Sequence, residues 1–141
     1  MTDMVPVTIG GVVRSAEEGS PRGERFSIRL DEVAGSRRLY IGVGDAEAAA
    51  LAFSLQGTEF PRPMTYQFAA ALLGAAGSGV REVHVTGFAE GIFYARVVLL
   101  NGAVVDARPS DAVNLAAVTG TLVYVATELL DLATGPRQPA V

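Results

Sequence analysis

Apolar residues return at every second position in three early stretches of the chain. Val5 to Val13 is apolar and β-branched. Phe26, Ile28 and Leu30 alternate with Ser27 and Arg29 within Arg25 to Leu30, and Leu39, Ile41 and Val43 repeat the period within Arg37 to Val43. A period of two is what a strand with one buried face requires. Turn formers separate the stretches at Glu17 to Gly23 and at Ala34-Gly35-Ser36, so the first third predicts a three-strand meander.

The period then lengthens. Ala46 to Leu55 are mostly good helix formers, Asp45 stands where a capping residue belongs and Gly57 where a left-handed stop belongs, which predicts a helix over 45–56 with a small-residue face. After Pro61-Arg62-Pro63, Thr65 is placed to cap a second helix, with Phe68, Leu72, Leu73 and Ala76 on one stripe and Gly77 ending it. Three further strands are expected at Val80 to Thr86, Ile92 to Leu100 and Ala103 to Ala107, the last two joined by the hairpin dipeptide Asn101-Gly102. A third helix, Ser110 to Thr119, turns Val113, Ala116 and Ala117 inward and stops at Gly120, before a short strand at Leu122 to Val125. Gly135-Pro136-Arg137-Gln138-Pro139 reads as a frayed end.

The expected architecture is α+β: two largely antiparallel β-meanders packed with about three helices, one domain over 1–131 and a flexible tail over 132–141. Both halves run strand, strand, strand, helix, and Asp45-Ala46 followed by Ala50 parallels Asp111-Ala112 followed by Ala116. An internal β-β-β-α duplication is one account of the parallel; chance matches in an alanine-rich chain are the other.

Composition narrows the chemistry. With 141 residues, half of them hydrophobic, the chain can bury a core without a staple. Cysteine is absent, which excludes a disulfide framework, a thiolate metal site and a cysteine nucleophile. No basic leader precedes an apolar run and no run approaches the ~20 residues of a membrane span, so a soluble cytoplasmic protein away from membranes is expected. A net charge of -4 argues against a general nucleic-acid coat while leaving room for a local basic patch. All 11 basic residues are Arg, which suits bidentate anion recognition, though genomic base composition is the commoner cause. The glycine-rich stretches around Gly42 and Gly74 lack the Gly-Lys-Ser/Thr ending of a phosphate loop.

The densest polar cluster is Asp106-Ala107-Arg108-Pro109-Ser110-Asp111, where a strand ends and a helix begins. At strand period Asp106 and Arg108 share a side and Asp111 lies in the first helical turn, so two carboxylates and a guanidinium are expected to converge. Such a group can hold a divalent cation. It can equally be structural, with Ser110 as cap, Asp111 facing the helix dipole and Asp106 paired with Arg108. Arg62-Pro63 precedes Thr65 much as Arg108-Pro109 precedes Ser110. An Arg beside a helix start needs an anion between, either phosphate or a carboxylate such as Asp106, Glu47 or Glu59. Glu47 sits in the first turn of the small-faced helix. His84, the lone histidine, alternates with Val83 and Val85 and is expected on the wetter side of its strand.

Four blocks together resemble the bifunctional nuclease family: Leu39 to Ala48, Glu59 to Thr65, Gly91 to Ala95, and Asp106 to Ala112 followed by Val123-Tyr124-Val125-Ala126. The resemblance covers about residues 5 to 130 and implies phosphodiester hydrolysis in DNA and RNA. It places the catalytic carboxylates on Asp106, Asp111 and Glu47, the first two also holding Mg²⁺ or Mn²⁺, and the substrate contacts on Arg62, Arg108, Thr65 and Ser110. Where family members usually carry His-Asp after the threonine, this chain has Tyr66-Gln67. Two readings therefore stand: a nuclease acting on nucleic acid, and a non-catalytic binding or regulatory module on the same fold that forms a homo-oligomer.

Overall fold

The structure, a computed structural model, describes residues 3–15 and 24–133. The turn expected at 17–23 and the end expected from Gly135 lie outside the described residues. Strands β1 (Met4–Arg14), β2 (Phe26–Glu32) and β3 (Arg38–Val43) form the first meander, and β4 (Val80–Ala89), β5 (Ile92–Leu99) and β6 (Val104–Ala107) the second. Between them lies β7 (Val123–Ala126), giving one seven-stranded sheet in the order β3-β2-β1-β7-β4-β5-β6. β7 runs antiparallel to β1 and parallel to β4, and the remaining pairs are antiparallel. The expected α+β class and both meanders are present.

The alternation that predicted the strands also sets the core. Ile28, Leu30, Leu39, Ile41, Val43, Val83, Val85, Ala95, Val97, Val123 and Val125 are all buried in one cluster. Helices α1 (Asp45–Leu55) and α3 (Pro109–Thr119) cover it, contributing Ala48, Leu51, Ala112, Val113 and Ala116. Burying each Leu, Ile or Val side chain stabilises the fold by roughly 1.5–3 kcal/mol. Gly120 ends α3 at φ 67, and the next amide, Thr121 N–H, returns to the Ala116 carbonyl at 3.0 Å, the bond that closes a left-handed helix stop.

Helix α2 (Thr65–Ala75) departs from the expected stripe. It packs against α3 rather than on the sheet, so it buries no residue fully: Leu73 touches the core while Phe68 and Leu72 are both 55% exposed. A fourth helix, α4 (Thr127–Ala133), was not foreseen. It has seven residues, fewer than two full turns, and follows β7 without a break; Leu129 and Leu130 anchor it, and Arg37 ties it to the β2–β3 hairpin by bridging Glu32 and Asp131.

The cap expectations need correcting. Gly44, Met64 and Arg108 hold the N-cap positions of α1, α2 and α3, and none of the three ends is closed by a side-chain cap bond. Asp45 and Thr65 lie one step inside, and the Asp45 carboxylate turns to Arg25. At α3, Pro109 takes the first helical position, where its missing N–H costs nothing, and pushes Ser110 into the buried first turn.

Candidate functional site

The first turns of α1, α2 and α3 meet at one place, bringing together Glu47, Tyr66, Arg108 and Asp111. Arg108 holds Asp111 with two hydrogen bonds, Nε to Oδ2 at 2.8 Å and Nη2 to Oδ1 at 3.0 Å. Tyr66 Oη donates to the same Asp111 Oδ1 at 2.6 Å, and Glu47 Oε2 lies 3.7 Å from Arg108 Nη2. The positive ends of three helix dipoles favour carboxylates at this spot. The anion that Arg108 needs beside the start of α3 is thus Asp111, supported by Glu47, and not Asp106.

Charge and burial act together here. Burial raises the pKa of Asp111, but the hydrogen bonds from Arg108 and Tyr66 and the guanidinium charge outweigh it, leaving the carboxyl below its ordinary range. Tyr66 moves upward, first through burial, then through its bond to Asp111 and the charges of Asp111 and Glu47, so its phenol stays protonated and donates.

A cavity of about 340 Å³ opens above this group. Glu47, Tyr66, Arg108 and Asp111 line its polar end, Ala46, Ala49 and Ala50 its α1 wall, and Phe53 and Phe60 its far side, edge to face with centroids 5.5 Å apart. The α1 alanines divide in role: Ala48 packs in the core, whereas the small side chains of Ala46, Ala49 and Ala50 keep the cavity open. Gly44 has a related effect, because a Cβ there would collide with Glu47 Oε1. Thr65 lines the same cavity, and Arg62 lines an adjoining hollow of about 350 Å³ that shares Phe60, Met64 and Gln67 with it.

Other expected site residues are placed elsewhere. Ser110 is buried on the opposite side of Arg108. Asp106 pairs in register with Arg96 of β5. Strand alternation turns Val105 and Ala107 toward α2 and α3, in a groove that Asp111 also lines, so Asp106 points to the opposite face of the sheet. Asp106 and Asp111 do not converge, and Asp106 does not pair with Arg108. As placed, they do not fit a shared Mg²⁺ or Mn²⁺, and among the described residues no cluster of three or more His, Cys, Asp or Glu is arranged around a metal position.

His84 occupies that opposite face but is only 8% exposed, not wet. Its Nδ1 accepts from Arg96 Nε at 2.9 Å, which leaves the ring proton on Nε2, 2.8 Å from Glu82 Oε1, and its ring meets Tyr124 edge to face. Asn114 is a site residue absent from the expectations above, and those expectations name Tyr66 without its partner. Asn114, fully buried, donates from Nδ2 to the carbonyls of Glu47 at 3.1 Å and Ser110 at 2.9 Å, fixing α1 against α3. Its signal was a polar residue on the stripe of Ser110, Val113 and Ala117. Tyr66 is joined to Asp111 across 45 positions of sequence, a pairing that no local pattern reveals.

Two relatives are similar to this chain: Uncharacterized protein Rv1829 of Mycobacterium tuberculosis strain H37Rv and Uncharacterized protein MT1877 of strain CDC 1551. Each is 41% identical over 101 residues, 72% of this chain. The chain spans 62% of the length of these relatives. Residues 28–137, which carry α1, α2, α3 and every side chain of the cavity, match the bifunctional nuclease domain, and the chain belongs to that family.

Proposed function

We propose that the chain hydrolyses phosphodiester bonds of DNA or RNA in the cavity between α1 and α2. Family membership supports this reading, and one observation carries it: both Asp111 oxygens are hydrogen-bonded, whereas Glu47 faces the cavity and, among the described residues, has only a 3.7 Å ion pair to Arg108. A carboxylate with a free oxygen can take a proton from water, while one fully engaged positions its partner. Glu47 is then the base, and Asp111 and Tyr66 hold Arg108. The Arg108 side chain, 66% exposed, contacts the scissile phosphate. Arg62 contacts a neighbouring phosphate, Thr65 donates from the cavity rim, and Ser110 holds the start of α3.

In the reaction, water oxygen bonds to phosphorus as its proton passes to Glu47. The opposite P–O ester bond breaks, and the leaving alkoxide takes a proton from solvent. Arg108 neutralises the charge that develops on the non-bridging oxygens. Where Mg²⁺ or Mn²⁺ takes part, Glu47 and Asp111 are the carboxylates of the cavity, and the ion would add charge neutralisation at the phosphate. The test is cleavage of single-stranded DNA and RNA, in EDTA and with each metal, by the wild type and Glu47→Gln. Loss of about 100-fold or more in the variant is expected; equal rates would remove Glu47 from the mechanism.

The binding-module reading has its own observation, the Tyr66 hydroxyl closing Asp111 where family members usually carry histidine. Its homo-oligomer has a natural edge at β6, the end of the sheet, where Val104 is 60% exposed on one face and Val105, beside Leu72 of α2, 49% on the other. Arg108-dependent nucleic-acid binding without cleavage in any metal, together with a dimer by light scattering, would favour this second reading.

A further inference from the structure

Arg108 lines a second cavity, on the side away from Asp111. This space of about 760 Å³ lies between the start of α3 and the β4–β5 hairpin. Arg108, Pro109 and Ser110 form one wall, and Phe88, Ile92 and Phe93 the other. Phe88 and Phe93 are direct cross-strand partners, with ring centroids 4.5 Å apart and planes tilted by 49°. Phe93 packs against the core, whereas Phe88 remains 47% and Ile92 42% exposed. The hairpin tip that carries them turns through Glu90 at φ 54 and Gly91 at φ 79, the paired left-handed positions of a tight two-residue turn. The exposed ring is therefore presented by constrained backbone rather than by a loose loop.

An aromatic face lining the same cavity as the guanidinium assigned above to a phosphate matches the make-up of a nucleotide, charged at its phosphate and flat and uncharged at its base. Glu90, which lines the cavity, disfavours a phosphate inside it and leaves the space to the base. We propose that this cavity is a nucleobase subsite, in which the nucleotide whose phosphate rests on Arg108 lays its base on Phe88. The proposal rests on the phosphodiester reading of Arg108 given above. It makes the substrate single-stranded or unpaired at that nucleotide, because a base inside a duplex keeps its faces stacked on its neighbours.

The test uses short single-stranded oligonucleotides carrying one 2-aminopurine, whose fluorescence is quenched by stacking, with the wild type, Phe88→Ala and Phe88→Leu. Phe88→Leu keeps an apolar contact with Phe93 and so separates loss of the ring face from loss of the fold, which melting curves check in all three proteins. Quenching on binding to the wild type is expected. Both variants should lose it and bind about tenfold more weakly, while an oligonucleotide with an abasic site at that position binds all three proteins alike. Equal quenching and affinity in wild type and Phe88→Ala, with binding still abolished by Arg108→Ala, would overturn the subsite and leave the phosphate reading intact. Absence of Arg108-dependent binding would overturn both. If Phe88→Ala dissociates an oligomer in light scattering without changing affinity, the face belongs to contact between copies and the subsite is overturned.

Discussion

Two polar groups of similar inventory lie on opposite faces of the sheet, and they differ in what surrounds them. On the helix side, Glu47, Tyr66, Arg108 and Asp111 come from the first turns of three helices. On the other side, Glu82, His84, Arg96 and Tyr124 come from three adjacent strands, with His84 directly opposite both Arg96 and Tyr124. Strand register sets neighbouring side chains about 4.5–5.5 Å apart, so the second group fills its own space and its Arg is engaged by the imidazole. Helix starts splay as they meet, and the first group is left with a cavity above it and an exposed Arg at its edge. Chemistry is open to the group whose elements leave room for a ligand, even though the other holds the only histidine of the chain.

Exchange of the two glutamates is the sharpest way to break this comparison. Glu47→Gln should lower cleavage of single-stranded substrate by about 100-fold or more, the ordinary contribution of a general base. Glu82→Gln keeps an acceptor oxygen for the imidazole, faces away from the cavity and should leave the rate within about twofold. Steady-state rates on the two purified variants decide it. A large loss in Glu82→Gln beside a small one in Glu47→Gln would move the active face to the other side of the sheet.

The junction of Asp106 to Asp111 is legible in the sequence, but the division of its side chains between the two faces of the sheet is not. Within β6, Val104 and Val105 are both apolar, so alternation did not say which face Asp106 takes; pairing with Arg96 settles that. The meanders were legible because period two survives in β2, β3, β4 and β5 even where boundaries shift by a residue or two. Helix α2 was legible as a helix but not as a surface one, since its stripe of Phe68 and Leu72 resembles a core face and its exposure follows from docking on α3. Tyr66 to Asp111 and Arg37 to Asp131 are distant in sequence and depend on how the elements pack. Glycine carried more information than the expected caps, for Gly57, Gly77 and Gly120 all sit at positive φ where helices were expected to stop.

Asn114 sharpens the comparison through stability. Its Nδ2 bond to its own helix is buried from water and its bond to α1 partly so, and Asn114→Ala should therefore lower unfolding free energy by about 2 kcal/mol, after the better helix propensity of alanine is allowed for. Urea melts measure this, and a change below about 0.5 kcal/mol would show that α1 is held by its apolar contacts alone. A smaller, purely local effect is expected at Gly44. Its φ of -69 accommodates alanine, so Gly44→Ala should melt like the wild type. Because the new Cβ meets the Glu47 carboxylate, cleavage should fall about tenfold, the effect of moving a base off its geometry. An unchanged rate would mean that the Glu47 carboxylate finds an equivalent position.

The smallest effect is electrostatic. Asp111 has a folded pKa below its ordinary value, so the native state resists protonation of this group more than the unfolded chain does. Its contribution is complete above the unfolded aspartate value of about 4 and is lost as pH falls through the lower folded value. The stability difference between wild type and Asp111→Asn should therefore be constant from pH 7 to about 5 and narrow from about 4 downward. Salt should weaken it, since the Asp111 side chain is 37% exposed and its Arg108 partner 66%. Because the Tyr66 bond contributes to the depression, Tyr66→Phe should make the pH-dependent loss smaller and let it level off at higher pH. Denaturant melts at stepped pH on the three proteins read both effects, and a gap that stays the same down to pH 3 would show that Arg108 does not hold Asp111 in solution.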